Sequence, residues 1–383
     1  MASRLFFFGR TPELSFVEIS SFVASMNTIR KDIVEVAGSF ISNGTNLTDA
    51  QCMNILGGIV KIATVLARTQ ELDPARLLSH FELKNKVVFA LSGYGLDKTT
   101  ITRLDQEIKK LFHSSHISSR FVLPKEGSVV SSVAIVKEHV EEVVIVKDKD
   151  GYIIGKTTAI QQFSEWNERD YQRPYVDPQS GMLPPKIARM IVNIGLGRDS
   201  RGKTLLDPFC GMGTICAEAA MRGVNVIGSD SDKETIEKAQ KNMSWLLSRY
   251  RLSSSIRLLH ADATHIDEII DKKTIDAIVT EPFLGSSRIG KDEQINRNKL
   301  QKIIKGLEKL YIGSLKCWTL ILKSRGIVVI AFPEYAVNTG TYGVKKVIDR
   351  CETLGYTKVL GPIAYSRPQA KVKRLFFVFQ KKI

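Results

Sequence analysis

The sequence predicts an α/β protein. Its C-terminal half reads as a doubly wound, mostly parallel sheet, preceded by two small α+β units. Three observations carry this reading. From residue 180 onward, near-continuous apolar runs alternate with helical patterns, as expected of strands covered on both faces. A glycine-rich turn, Asp207-Pro-Phe-Cys-Gly-Met-Gly-Thr214, joins the apolar run Thr204–Leu206 to the helical run Ile215–Met221. Three acids, Asp207, Asp230 and Asp262, stand just past the ends of three successive apolar runs. In a doubly wound sheet those ends share one edge and line one crevice.

The elements follow in order. Arg4–Phe8 reads as a strand, Glu13–Ala24 as a helix and Lys31–Ser39 as a second strand. Thr48-Asp-Ala-Gln51 has capping-box character and predicts a helix over Met53–Ala67. These make a first unit over residues 1–75. In a second unit, 76–155, Lys86–Leu91 is a strand and Ser92–Gly95 a turn. Thr99–Phe112 is a helix, Val129–Lys137 and Val143–Val146 are strands, and Lys147–Gly151 is a hairpin turn. Residues 156–179 mix aromatic, polar and proline residues without periodicity and read as a linker over the surface. The third unit, 180–383, opens with the helix Lys186–Ile194 behind two prolines. Strands at Val224–Gly228, Ile256–Leu259, Ile275–Val279, Ile327–Phe332 and Phe376–Phe379 and helices at Lys233–Tyr250 and Leu300–Leu322 complete it.

Composition bounds the function classes. With 383 residues, 43% hydrophobic and 25% charged, the chain has the profile of a multi-domain globular protein. No apolar run reaches membrane-span length. The five cysteines are odd in number and form no CxxC pair, which fits reduced thiols in a cytoplasmic setting and gives no metal site. Net charge is +15, and its distribution is uneven. Residues 1–178 hold 21 basic and 21 acidic residues, whereas 301–383 hold 16 and 4. A basic excess confined to one segment predicts a polyanion partner, above all nucleic acid. Lys302, Lys305, Lys345, Lys346, Arg367, Lys371, Lys373 and Arg374 are the candidate phosphate contacts.

The turn at 207–214 defines the ligand class. Gly211 and Gly213 let the backbone approach a ligand. An acid four residues before the first glycine repels phosphate and suits a cationic ligand, so the turn predicts a pocket for S-adenosylmethionine rather than for a pyrophosphate. Asp230, 19 residues after Gly211, is placed to accept from ribose hydroxyls. Asp262 can reach an adenine amine, and Asp207 faces the methionyl end. Past the fourth strand, Thr280-Glu-Pro-Phe-Leu-Gly285 offers what methylation of an exocyclic amine needs. Glu281 and the Pro282 carbonyl can hold the amine hydrogens so that the lone pair faces the methyl group, and Phe283 can stack on the base.

Taken together these residues resemble the THUMP-domain tRNA (guanine-10-N2)-methyltransferase family. Asp207–Thr214 looks like its cofactor motif, and Gly181-Met-Leu-Pro-Pro-Lys186 matches a second cofactor motif ahead of the first strand. Phe8-Gly-Arg-Thr-Pro-Glu-Leu-Ser15, Ile154–Gln161 with Arg169-Asp170, and Tyr365-Ser-Arg-Pro368 are similar to its opening, its linker and its C-terminal segment. The resemblance implies an N-terminal ferredoxin-like domain, a THUMP RNA-binding domain and a Rossmann-type methyltransferase domain. It implies S-adenosylmethionine as cofactor, held by Gly181, Leu183, Asp207, Phe209, Cys210, Gly211, Gly213, Asp230, Asp262 and Ala263. The partner it implies is tRNA, with the target guanosine flipped into the crevice; an activating partner subunit or a homodimer stays open. At the fourth strand the family's motif is Asp-Pro-Pro-Tyr, and here it is Glu281-Pro282-Phe283-Leu284. That departure keeps two alternatives in view: a tRNA-binding protein of the same fold without transfer, and methylation of adenine N6 or cytosine N4.

Overall fold

A computed structural model of the protein describes residues 3–23, 33–36, 39–42, 47–176, 182–285, 297–337, 340–366 and 372–383. The chain divides into two compact units, Met1–Phe163 and Ser164–Ile383.

The first unit is built on one eight-stranded sheet. In chain order its elements are β1 (Arg4–Phe8), α1 (Pro12–Val23), β2 (Ile33–Val36), β3 (Ser39–Ser42), α2 (Asp49–Ile55) and β4 (Ile59–Thr69). Then come α3 (Pro74–Leu78), β5 (Lys86–Tyr94), α4 (Lys98–Ser114), β6 (Ser118–Phe121), α5 (Ser132–Glu138), β7 (Glu141–Asp148) and β8 (Gly151–Ile160). The strand order is β2-β3-β1-β4-β8-β7-β5-β6. The expected boundary at residue 75 falls just beyond β4, and β4 pairs antiparallel with β8, so both expected units contribute to one sheet.

Three expectations fail here: Ser92–Tyr94, read as part of a turn, belong to β5, and one helix and one strand are revised. The helix over Met53–Ala67 is only Asp49–Ile55. The Thr48 capping box forms as read, but Gly57 and Gly58 break the helix and Glu18 takes both of their amides, at 2.8 and 2.9 Å. The β-branched run that follows then pairs as β4. Conversely, Val129–Lys137 is not a strand. Ser131 caps a helix, α5, by accepting from the Ala134 amide.

Two buried acids in this unit have opposite support. Glu142 accepts from Lys61 (2.6 Å), Thr157 (2.5 Å) and Ser92, with both ionic side chains 2% exposed or less. Such a pair holds because further donors offset the desolvation of the charges. Asp105, on α4, reaches the Leu91 amide (3.2 Å) of β5. The register of β6 on β5 ends at Phe89, so the sheet leaves that amide to a side chain. Its second oxygen is buried without a hydrogen bond, and burial pushes the carboxyl up to about 8.

The second unit carries the doubly wound sheet. Its elements are α6 (Phe163–Tyr171), α7 (Pro185–Leu196), β9 (Thr204–Asp207), α8 (Thr214–Ala220), β10 (Asn225–Asp230), α9 (Lys233–Tyr250), β11 (Ile256–His260) and β12 (Ile275–Thr280). They continue as α10 (Arg297–Ile321), β13 (Leu322–Val337), β14 (Gly340–Gly343), α11 (Lys345–Arg350), β15 (Tyr356–Tyr365) and β16 (Val372–Lys381). The order is β11-β10-β9-β12-β13-β16-β15, with β14 on β13. The first five strands are parallel, and β16 runs antiparallel between β13 and β15. Chain order reverses at β9, so the switch point lies between β9 and β12, where the crevice of a doubly wound sheet opens. Behind it α7 packs on β12 and β13 and is buried along nearly its whole length.

The linker expectation for residues 156–179 is corrected. Residues 156–160 complete β8, and 163–171 form α6, in which Trp166 and Arg169 are buried. Their aromatic and basic residues carry the packing of this segment, which hydropathy alone does not register.

The raised Asp105 carboxyl has a measurable consequence. The folded state holds a proton that the unfolded chain releases near pH 3.8, so this group makes stability fall as pH rises from about 4 to about 8. Asp105→Asn keeps an acceptor for Leu91 and removes the titration. We expect its stability advantage over wild type to grow across that window, by about 1 kcal/mol or more, in urea unfolding at pH 5 and pH 8. Parallel pH profiles for the two proteins would refute this account.

Candidate active site

The glycine-rich turn folds over the end of β10. Asp207 sits level with Gly228 in the β9–β10 register. From there the Cys210 amide bonds to the Ser229 carbonyl (2.8 Å), and the Gly211 amide bonds to Asp230 Oδ2 (3.1 Å). Gly211 and Gly213 have φ of +51° and +85°, in the left-handed region that favours glycine. Cys210 and Leu183 are buried rather than exposed.

The acids differ in environment. Asp207 is 1% exposed, and its Oδ1 accepts from Thr280 Oγ1 (2.7 Å) and the Phe209 amide (3.2 Å). Burial pushes its carboxyl up to about 7; those two bonds oppose the rise, and the negative charges of Asp230 and Glu281 add to it. Asp230 also accepts from the Asp232 amide (3.0 Å). Asp262 is exposed, and the Thr264 amide (2.7 Å) and hydroxyl (2.8 Å) hold its carboxyl below the usual range. Next to it, the buried Ala263 gives its carbonyl to Trp318 Nε1 (3.1 Å), and the Trp318 ring meets Phe209 edge-on at 6.4 Å. One tryptophan of α10 thus braces the loops that follow β9 and β11. The set is acidic and hydroxyl-seeking; it fits a cationic ligand bearing a ribose and disfavours a pyrophosphate.

Past β12 the chain runs Glu281-Pro282-Phe283-Leu284. Two buried tyrosines grip it from beneath. Tyr311 donates to the Phe283 carbonyl (2.6 Å) and Tyr335 to the Leu284 carbonyl. Pro282 is buried and Phe283 is 59% exposed, so the ring lies open at the crevice edge. Glu281 accepts from Arg374 Nε.

A segment before the sheet also holds the turn. Arg169 (2.8 Å) and Arg189 (2.6 Å) both pair with buried Glu218 of α8, and Arg169 stacks on Trp166 at 4.3 Å. Arg173 donates to Thr214 Oγ1 (2.7 Å) at the start of α8. Asn242 of α9 bonds to both the amide and the carbonyl of Tyr175 and to the Met212 carbonyl of the turn. These residues, with Thr280, Tyr311, Tyr335 and Trp318, escaped sequence reasoning because their partners lie 28 to 73 positions away.

Of the candidate phosphate contacts, Lys302 and Lys305 are exposed on α10, and Lys345 and Lys346 are exposed at the start of α11. The Lys346 amide bonds to Glu308 of α10 (3.1 Å), which places these lysines on neighbouring helices. Lys373 is exposed and pairs with Glu334 at 3.4 Å. Arg374 is corrected: it is buried and turned to Glu281, not to solvent. Gly181, Arg367 and Lys371 lie outside the described residues.

This topology and this carboxylate-lined crevice at the switch point define a Rossmann-type methyltransferase fold. Residues 172–336 match the RMKL-like methyltransferase-domain family, and residues 94–241 match a DNA methylase family, a stretch that stops short of Glu281. A tRNA (guanine(10)-N2)-dimethyltransferase of Methanothermobacter thermautotrophicus is 33% identical over 187 residues, 49% of this chain and 48% of the relative. One from Pyrococcus abyssi is 32% identical over 217 residues, 56% and 55% of the two chains. A probable enzyme of the same name from Methanothermococcus thermolithotrophicus is 35% identical over 117 residues, 30% of this chain and 70% of that relative. The chain belongs to the tRNA (guanine(10)-N2)-dimethyltransferase family. It spans about half the length of the first two relatives. TrmN from Thermus thermophilus shares the fold along 99% of both chains, at 18% identity and a TM-score of 0.55.

Thr280 supports the charged form of Asp207. Thr280→Val should cost about 1–3 kcal/mol of stability at pH 8, where the buried carboxylate is ionised, and less at pH 6, where it holds its proton. Equal losses at the two pH values in denaturant unfolding would contradict the bond's assigned role.

Proposed function

We propose that the chain transfers a methyl group from S-adenosylmethionine to the exocyclic N2 of a guanosine in tRNA. The observation that carries this reading is the placement of Glu281 and the open Phe283 ring at the end of β12, beside the Asp207–Asp230 edge. When bound, S-adenosylmethionine supplies an electrophilic methyl group. Asp230 and Asp262 would hold its ribose and adenine, and the Asp207 carboxylate would face the cationic end. Phe283 stacks on the flipped base. Glu281 and the Pro282 carbonyl accept the two amine hydrogens, which turns the nitrogen lone pair toward the donor. Glu281 then takes the proton that the methylated nitrogen sheds. The reading includes the N-terminal unit as the ferredoxin-like and THUMP RNA-binding part, and α10 and α11 as a basic face for phosphates.

The Glu281–Arg374 contact and the departure from Asp-Pro-Pro-Tyr favour one other reading, a tRNA-binding protein that transfers nothing. Mass spectrometry of nucleosides from unmodified tRNA incubated with protein and S-adenosylmethionine separates the two. The expected product is N2-methylguanosine or its dimethyl form. Methylated adenosine or cytidine would move the reading to another amine, and tRNA binding without any methylation would favour the second one. Glu281→Ala should lower kcat by about 100-fold or more while tRNA binding persists. Separately, Lys345→Glu/Lys346→Glu should flatten the salt dependence of tRNA affinity by about one unit of log–log slope per lost phosphate contact; an unaltered slope returns these lysines to a solvated face.

A further inference from the structure

The reversed strand β16 brings a cation to the chemistry. The parallel strands end at the crevice edge, and an antiparallel strand in the same sheet begins there. Glu281 follows the last residue of β12, where Thr280 is level with Ile330 of β13. Arg374, near the start of β16, is level with Pro333 of β13 and with Tyr365 of β15. Its guanidinium lies 5.9 Å from the Tyr365 ring centroid, and its Nε donates to Glu281 Oε1. The two side chains are 10% and 16% exposed. The charged or titratable groups that face Glu281 include Asp207 from β9, Tyr311 from α10 and Arg374 from β16. Asp207 repels the Glu281 charge, and the tyrosine is neutral, its hydroxyl pushed well above its ordinary value by burial. Arg374 is the cation of this set.

We propose that Arg374 is a positioning residue for Glu281, holding its carboxylate ionised and fixed in direction where it meets the target amine. This rests on the function proposed above. The contact spans from β12 past β13 to β16, and the glutamate at 281 carries one methylene more of reach than an aspartate there would. A carboxylate has room for about four hydrogen bonds, so a bond to arginine is compatible with one to the amine. Without the arginine, a half-buried acid beside Asp207 picks up a proton more readily. It then loses both its orientation and its capacity to take the proton from nitrogen.

The test combines methyl-transfer kinetics with a titration that needs no activity. The proteins are wild type, Arg374→Gln, Arg374→Lys and Glu281→Gln, assayed with unmodified tRNA and S-adenosylmethionine. The Glu281 carboxyl is followed by NMR in protein carrying 13C-carboxyl glutamate, with Glu281→Gln identifying its signal. For Arg374→Gln we expect the acidic limb of the kcat profile and the Glu281 titration to move up together, by about one pH unit or more. KM for S-adenosylmethionine should stay near wild type, Arg374→Lys should recover most of kcat, and adding Arg374→Gln to Glu281→Gln should lower kcat no further. If the titration moves and the kcat profile does not, the contact is structural only and the inference fails while the functional reading stands. It fails likewise if Arg374→Gln depresses kcat evenly at every pH, or if Arg374→Lys, which keeps the charge, recovers nothing. If wild type methylates no tRNA, or Glu281→Gln matches wild type, the functional reading itself has failed and the inference falls with it.

Discussion

The bond from Thr280 to the buried carboxylate of Asp207 joins the ends of β9 and β12, the two strands that flank the switch point. The rest of the crevice is arranged around it. Asp207 ends β9, the middle of the five parallel strands, and the same oxygen that accepts from Thr280 also receives the Phe209 amide, so the first residues of the glycine-rich turn are set by the acid. The turn then spends its next amides on β10, at Ser229 and Asp230. Thr280 leads directly into Glu281. One buried acid thus fixes the start of the glycine-rich turn and the start of the loop after β12. The cost is a carboxyl held near neutrality by burial and by neighbouring negative charge. A cationic ligand against that edge would relieve this repulsion.

Support for the crevice comes from large buried side chains that spend their one polar atom on a loop carbonyl. Trp318 holds Ala263, Tyr311 holds Phe283 and Tyr335 holds Leu284. Each ring buries apolar area in the core beneath the sheet edge while its N–H or O–H fixes a backbone position above it. Two irregular loops are thereby given defined positions by rigid elements. On the other flank, the Arg169–Glu218–Arg189 cluster and the Arg173–Thr214 and Asn242–Met212 bonds tie the turn to the segment that precedes the sheet. The cluster is buried, so its charges must be mutually satisfied, and removing one arginine would leave Glu218 short of a partner.

Much of this was legible in the sequence. The strand–turn–helix at 204–221, the helix Lys233–Tyr250 and the three acids at successive strand ends stand where hydrophobic period and glycine placement put them. Those signals are local: apolar alternation, a cap or a glycine within a few residues. Where two local signals competed, the reading failed. The capping box at Thr48 correctly starts a helix, but the length of that helix depended on Glu18, 39 residues away, capturing the Gly57 amide. Val129–Lys137 carries a strand's composition, yet the cap at Ser131 starts a helix there.

The sequence by itself determined the fold class, the glycine-rich turn and the acids at the strand ends, because each is written in contiguous residues whose spacing has one geometric meaning. Only the tertiary structure decided what those acids face. Arg374 reads in the sequence as one more cation in a basic C-terminal stretch, a candidate for phosphate. Strand order places it instead at the crevice edge, buried against Glu281. The reason is topological: β16 inserts in reverse between β13 and β15, so its first residues arrive where the parallel strands end. No spacing along the chain encodes that adjacency, since Glu281 and Arg374 are 93 positions apart.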